Sequence, residues 1–167
     1  MRVRPEQPAD IPAITAVTIS AFALAEHAGH NEHIIVDALR RSRQLALSLV
    51  AEDDNGVVIG HVAVSPVSIS DGTRDWHGLG PISVVPARQG RGVGTMLMHA
   101  ALKALRQLDA AGCVVVGDPR YYSRFGFRPE PTLVYPGLPA EYFQAITIAG
   151  VVPRGTVEYH ESFSAQA

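Results

Sequence analysis

Ile82-Ser83-Val84-Val85-Pro86-Ala87-Arg88-Gln89-Gly90-Arg91-Gly92-Val93-Gly94-Thr95-Met96-Leu97 is the stretch that decides how this chain reads. Ile82 to Val85 is short, apolar and β-branched, as a buried strand requires. Beyond it Leu97, Ala101, Ala104, Leu105 and Leu108 recur at three- and four-residue steps, the spacing of one helix face. The segment between them is therefore a strand-to-helix turn. Pro86 lacks an N–H and ends strand pairing. Three glycines in the five positions from Gly90 to Gly94 free the backbone for conformations that a Cβ forbids, and let another molecule come close. The start of a helix presents unpaired N–H groups and the positive end of the dipole, so the turn is built to hold an anion, most simply a phosphate or pyrophosphate.

Two other glycine loops fail on spacing. Gly-x-Gly-x-x-Gly, the dinucleotide fingerprint, needs a glycine where Thr95 or Leu97 stands. A Walker loop ends in Gly-Lys-Ser/Thr, and the only lysine here, Lys103, lies well inside the helix. Gln89, Gly92 and Gly94 instead satisfy Gln/Arg-x-x-Gly-x-Gly/Ala, and in this the turn resembles the acetyl-coenzyme A pyrophosphate loop of the GNAT superfamily of N-acetyltransferases. Tyr121-Tyr122-Ser123-Arg124-Phe125-Gly126-Phe127 is similar to that superfamily's aromatic-Tyr-x-x-x-Gly-Phe signature. The distance between the two motifs accommodates one helix and one strand, as the family requires. Gly117-Asp118-Pro119 before the tyrosines and Val157-Glu158-Tyr159-His160 in the tail further resemble a branch of predicted bacterial N-acetyltransferases, so the likeness runs over most of the chain. Many members carry an asparagine at the end of the strand before the tyrosine; this chain has Gly117-Asp118-Pro119 and a shorter path.

The resemblance implies an α/β (α+β) fold with a mixed, mostly antiparallel sheet flanked by helices. The sheet parts between the strands at Ile82–Val85 and Val114–Val116, leaving a cleft for acetyl-CoA. Main-chain groups of Ile82, Ser83 and Val84 are expected to pair with pantetheine, with the Val84 N–H polarising the thioester carbonyl. Gln89, Gly90, Arg91, Gly92, Val93, Gly94 and Thr95 form the pyrophosphate turn. Tyr122 matches the position of the family's general acid, and a phenol with an ordinary pKa of about 10 suits protonation of a departing thiolate; Tyr121 reads as packing or as a wall of the substrate site. The expected reaction is direct transfer of the acetyl group to an amine of a small molecule or peptide in a ternary complex. A non-catalytic acyl-coenzyme A binding or sensing module would keep the glycine turn without needing an acid. An enzyme for a longer acyl group also fits.

Composition bounds the rest. A chain of 167 residues, 47% hydrophobic and 18% charged, reads as one domain with a sizeable core. A formal charge of −2 with arginines spread along the chain gives no reason to expect a nucleic-acid partner. No apolar run approaches the roughly 20 residues of a membrane span, and Met1-Arg2-Val3-Arg4-Pro5 leads into no signal-like apolar region. A cytoplasmic protein is expected, with a homodimer left open. Cys113, the single cysteine, heads an apolar strand and reads as a buried hydrophobe. No Gly-x-Ser-x-Gly elbow supports a serine hydrolase.

Along the chain, Val3–Arg4 starts a strand, and Asp10 with Pro12 opens a helix to about Phe22, with Ile14, Val17, Thr18 and Ala21 on one face. A second helix runs from about His33 to Ser42. Asp54-Asn55-Gly56 joins Leu45–Glu52 to Val57–Ser65 in a hairpin, Pro66 interrupts, and Val67–Ser70 resumes the meander. Gly112 is expected to end the long helix, and Gly126 the short helix opened by Pro119. Strands close the chain at Ala145–Ala149 and Thr156–Tyr159. A catalytic base is not singled out among His77, His61, Glu32 and His30. His27, His30 and His33 have a metal-like spacing, but Gly29 and Asn31 argue for a polar loop, so no metal is expected.

Overall fold

The computed structural model describes residues 1–26 and 28–166. Its strands are β1 (Arg2–Pro5), β2 (Leu47–Glu52), β3 (Val58–Ile69), β4 (Trp76–Val84), β5 (Gly112–Val116), β6 (Leu133–Val134), β7 (Phe143–Thr147) and β8 (Gly155–Tyr159). Its helices are α1 (Ile11–Phe22), α2 (Glu32–Arg41), α3 (Val93–Gln107) and α4 (Pro119–Tyr122). The sheet runs β1-β2-β3-β4-β5-β7, and β8 joins the far end of β3 and carries β6. Only β4–β5 and β6–β8 are parallel among these pairs, so the sheet is mixed and mostly antiparallel.

Period-two alternation sorts the sheet's side chains between two layers. Leu49, Ala51, Val62 and Val64 face α3, where Leu97, Met98, Ala101, Leu102 and Leu105 are buried. Val50 and Ala63 face the other way, against Ile14 of α1 and Val36 of α2. Each large α3 side chain contributes on the order of 1.5–3 kcal/mol by leaving water. Cys113 is completely buried, and desolvation pushes its thiol well above the usual range.

Several local expectations are corrected. β3 runs through Pro66 as one strand: pairing with β2 ends at Val64 and pairing with β8 begins at Val67, so the missing N–H falls in the gap between two edge partners. The hairpin forms, but its connection runs from Asp53 to Val57, longer than the expected Asp54-Asn55-Gly56, because the Asp53 carboxylate accepts from the N–H groups of Asn55 and Val57 and gathers the loop around itself. Gly112 does not end α3. The helix stops at Gln107 with Asp109 left-handed at φ 57°, the Asp109 N–H bonding Arg106 O and the Ala110 N–H bonding Leu105 O, a Schellman closure with Ala110 buried on Leu105. Leu108 is thereby turned outward, 52% exposed. Gly112 opens β5 instead, and a Cβ there would lie 2.4 Å from the Trp76 ring.

Candidate active site

The cleft begins where β4 and β5 stop pairing. Their ladder covers only Trp76–Gly78 against Gly112–Val114, and from Leu79 onward the strands separate. A bulge in β4 lies at this point: Ala63 alone spans the interval that Gly80 and Pro81 fill between the paired residues Leu79 and Ile82. Pro81 also removes a donor from the strand. Gly80-Pro81 inside an apolar strand was the available signal for this bend.

Hydrogen bonding fixes which groups of β4 face the gap. The Val85 N–H donates to Ile59 O of the β3 side at 3.0 Å. Main-chain groups alternate in direction along a strand, so those of Val84 and Ile82 point to the gap, and those of Ser83 to β3. The Gln89 side chain donates to the Val84 carbonyl at 3.0 Å, folding the turn onto the strand end. The Val84 N–H is left facing the gap beside it. The Ser83 side chain is buried, with its Oγ unpartnered among the described residues.

The glycine turn forms the floor. Gly90 and Gly92 have φ of 73° and 85°, and Gly92 caps α3 in the left-handed conformation, which a side chain would strain. The first closing bond runs from the Met96 N–H to Gly92 O, so the N–H groups of Val93, Gly94 and Thr95 have no partner within the helix. Gly94 serves closeness: a Cβ there would stand 2.6 Å from the Tyr121 hydroxyl. Val84, Arg88, Gln89, Gly90, Gly92, Gly94, Thr95, Tyr121 and Arg124 enclose a groove of about 420 Å³. A second lobe of about 200 Å³ continues past Ile82, Ala21 and Phe22. Arg91 is exposed outside this lining, and the Val93 side chain is in the core. Arg88 and Arg124 went unread as site residues; the region after the first helix was expected to shape the acceptor site together with the proline-rich segment from Leu133 to Tyr142, and of the two only the end of α1 lines the groove.

The two tyrosines stand at right angles with ring centroids 5.0 Å apart. Tyr121 is half-buried and walls both lobes of the groove. Tyr122 is 9% exposed, packed against Phe127 and the end of β5, where a Cβ on Gly117 would come 2.6 Å from its ring. Asp118 caps α4 by accepting from the Arg120 N–H at 2.9 Å, and Pro119 holds the first helical position, so Gly117-Asp118-Pro119 both makes room for the Tyr122 ring and starts the helix that carries it. Burial raises the Tyr122 phenol to about 12 and Tyr121 in the same direction. Tyr122 therefore keeps its proton at neutral pH.

None of His61, His77, Glu32 and His30 lines the groove. His61 is fully buried on β3, its Nε2 2.8 Å from Ser48 Oγ, and Ser48 gives its single proton to Glu6 at 2.6 Å. Ser48 must therefore accept from His61, which places the proton on Nε2 and the lone pair on Nδ1. Desolvation lowers this imidazole to about 4, so it is neutral. His77 is also lowered by desolvation. His33 lies in α2 and His30 before it; His27 lies outside the described residues. No group of three or more potential metal ligands occurs among the described residues. No helix among them is long and apolar enough to cross a membrane.

A parted parallel pair of strands and a glycine turn at a helix start, with Tyr121 and not the buried Tyr122 in the lining, define a class of acyl-carrier cleft, and the comparisons give the family. The acetyltransferase (GNAT) domain profile matches residues 44–129. The chain belongs to the GNAT acetyltransferase family. It is 36% identical to the uncharacterised N-acetyltransferase YhbS of Escherichia coli K12, over 98% of this chain and 99% of that one. Among solved structures, a GNAT family acetyltransferase from Brucella melitensis in complex with acetyl-CoA is 44% identical with a TM-score of 0.86, covering 97% of each chain. The E. coli YhbS structure in complex with CoA gives a TM-score of 0.88 over 99% of this chain and 93% of that one.

Proposed function

We propose that the protein is an acetyl-CoA-dependent N-acetyltransferase that moves the acetyl group directly from the thioester to a primary amine held in the same cleft. The observation that carries this reading is the Val84 N–H, turned to the open gap between β4 and β5, with the unpaired amides of Val93 to Thr95 at one end of the same groove. The residues fit the cosubstrate. Free amides at the start of α3 match a pyrophosphate, the unpaired edge at Ile82 and Val84 matches the amides of a pantetheine arm, and Val84 N–H is aimed where a thioester oxygen gains charge as the amine attacks.

The amine nitrogen forms a bond to the carbonyl carbon and gives up a proton to water, the carbon–sulfur bond breaks, and the sulfur takes a proton from a phenol that solvent then reprotonates. Tyr122 is the proposed donor, because burial keeps its phenol protonated and Gly117 admits its ring beside the end of β5, on the bank opposite Val84. Tyr121, in the wall of both lobes, shapes the groove. The acceptor enters through the lobe bounded by Ala21 and Phe22. A panel of small and peptidic primary amines, assayed with acetyl-CoA for free thiol release, tests the reading. Acetylation of at least one amine class at rates well above the uncatalysed background is expected. Tight coenzyme A binding with no amine acetylated would transfer the assignment to an acyl-coenzyme A sensing module.

A further inference from the structure

Two guanidinium groups line the groove, and they are engaged differently. Arg88 is paired with Asp53 at 3.2 Å. Arg124 has no carboxylate within ion-pair distance among the described residues, although its neighbours do: Arg120 pairs with Asp118 at 3.2 Å and Arg128 with Glu130 at 3.4 Å. Arg124 is instead held by aromatic faces. Its Cζ stands 4.8 Å from the Tyr121 ring centroid and 5.3 Å from that of Phe125, and its Nε donates to the Tyr121 carbonyl at 3.4 Å. Stacking fixes the plane of a guanidinium without using its outer N–H groups, so little freedom remains to be lost when those groups meet an anion. The surface they share with Gly90, Gly92, Gly94 and Thr95 is the groove itself.

We propose that Arg124, stacked on Tyr121, is a cosubstrate-binding residue that closes the pyrophosphate site from the side facing the glycine turn. The pyrophosphate is then held between the α3 amides and a planar fork able to take two of its oxygens. This also gives Tyr121 a task distinct from Tyr122: its ring carries the arginine, and its hydroxyl packs against Gly94. The proposal rests on the acetyl-CoA reading above, and the experiment separates the two.

Dissociation constants are measured by calorimetry for coenzyme A and for dephospho-coenzyme A, which keeps the pyrophosphate and lacks the 3′-phosphate. Turnover is followed with acetyl-CoA and with S-acetylpantetheine, which has neither. Parent binding comes first: a parent without affinity for coenzyme A overturns the cosubstrate reading and this proposal with it. In Arg124→Gln, affinity is expected to fall about 10- to 100-fold, the range of a lost charged hydrogen-bonding pair. The factor should be equal for coenzyme A and dephospho-coenzyme A. Turnover at saturating acetyl-CoA should stay within about threefold, since the contact is the same in ground and transition states, and the reaction of S-acetylpantetheine should be unaffected. Arg120→Gln, four residues earlier in α4 and tied to Asp118, should match the parent throughout. Unchanged affinity in Arg124→Gln would overturn the proposal. A loss seen with coenzyme A but not with dephospho-coenzyme A would move the guanidinium to the 3′-phosphate, and an equal loss with S-acetylpantetheine would reduce it to a packing role.

Discussion

Two regions of the same sheet treat polar groups in opposite ways. In the corner made by β1, β2, α1 and α2, charged side chains are spent on one another: Arg4 binds Asp10 at 2.7 Å and Glu52 at 3.1 Å, Arg2 also binds Glu52, and Arg40 binds Glu6 at 2.7 Å. Glu6 in turn takes the Ser48 proton, which fixes the His61 tautomer. At the mouth between β4, α3 and α4, main-chain donors at Val84 and Val93 to Thr95 have no partner among the described residues, and Arg124 has aromatic faces and the Tyr121 carbonyl but no carboxylate. Buried polar groups satisfied internally rigidify a fold, while those left open must be met by water or a ligand. The corner is a support, and the mouth is a site.

Substitutions in the two regions should accordingly separate, with mouth variants failing in binding or rate and corner variants in stability. The largest effect is expected from Tyr122→Phe, which removes the proposed proton donor. The rate should fall by a factor of about 100 to 10,000 with cosubstrate affinity nearly unchanged, while Tyr121→Phe changes the rate far less. Kinetics on both variants with an acceptor from the amine panel check this, and the reverse pattern would name Tyr121 as the donor. Next is the double variant Gly92→Asp, Gly94→Asp. It places carboxylates at the α3 amides, and losing two or more charged hydrogen bonds should weaken coenzyme A at least about 100-fold in calorimetry, with a cooperative melt showing that the protein is folded.

The corner should respond to pH. The Asp10 carboxyl is held low first by the Arg4 hydrogen bonds, and that of Glu52 first by Arg2 and then by Arg4; burial pushes Glu6 up, but its bonds to Arg40 and Ser48 together outweigh that and leave it low. Groups lowered in the folded state contribute stability above their unfolded pKa and lose it as pH falls through the folded one. His61 acts in the same direction for another reason: the unfolded imidazole takes a proton near 6.5, and the buried one only near 4. His61 should therefore lower stability by about 3 kcal/mol between about pH 6.5 and about pH 4, and the carboxylates should continue the loss at lower pH. Urea unfolding across that range measures it, and His61→Gln should flatten the slope. A smaller effect is expected at Gly112→Ala, where the new methyl meets the Trp76 ring. Overpacking of this kind costs about 1–3 kcal/mol, visible as a lower Tm without a change in coenzyme A affinity.

The mouth was far more legible in the sequence than the corner. Glycine spacing, the β-branched run before it and the apolar helix after it are contiguous, so the strand-to-helix turn could be read from local chemistry. Gly117-Asp118-Pro119 and Gly126-Phe127 likewise placed the short helix under Tyr122. What escaped depends on distant partners. Pro66 is tolerated because two strands leave a gap at its edge, and Gly112 is required by the Trp76 ring. The role of Gly112 as a helix stop was taken by Asp109, whose left-handed conformation is not written in its residue type. His61 was noticed as a candidate base, but burial neutralises it against the pull of Glu6, and its tautomer follows from Ser48 and Glu6, which the chain brings in from 13 and 55 residues away. Arg124 was visible only as one more arginine until Tyr121 placed it over the turn.

Amide hydrogen exchange with and without acetyl-CoA tests the contrast most directly, because it reads the main-chain donors themselves. The account predicts that the cosubstrate slows exchange at Val93, Gly94 and Thr95 and at Ile82 and Val84, with Ser83, already turned to β3, and the β1–β2 corner unchanged. Binding without protection at these amides, or protection concentrated in the corner, would contradict it.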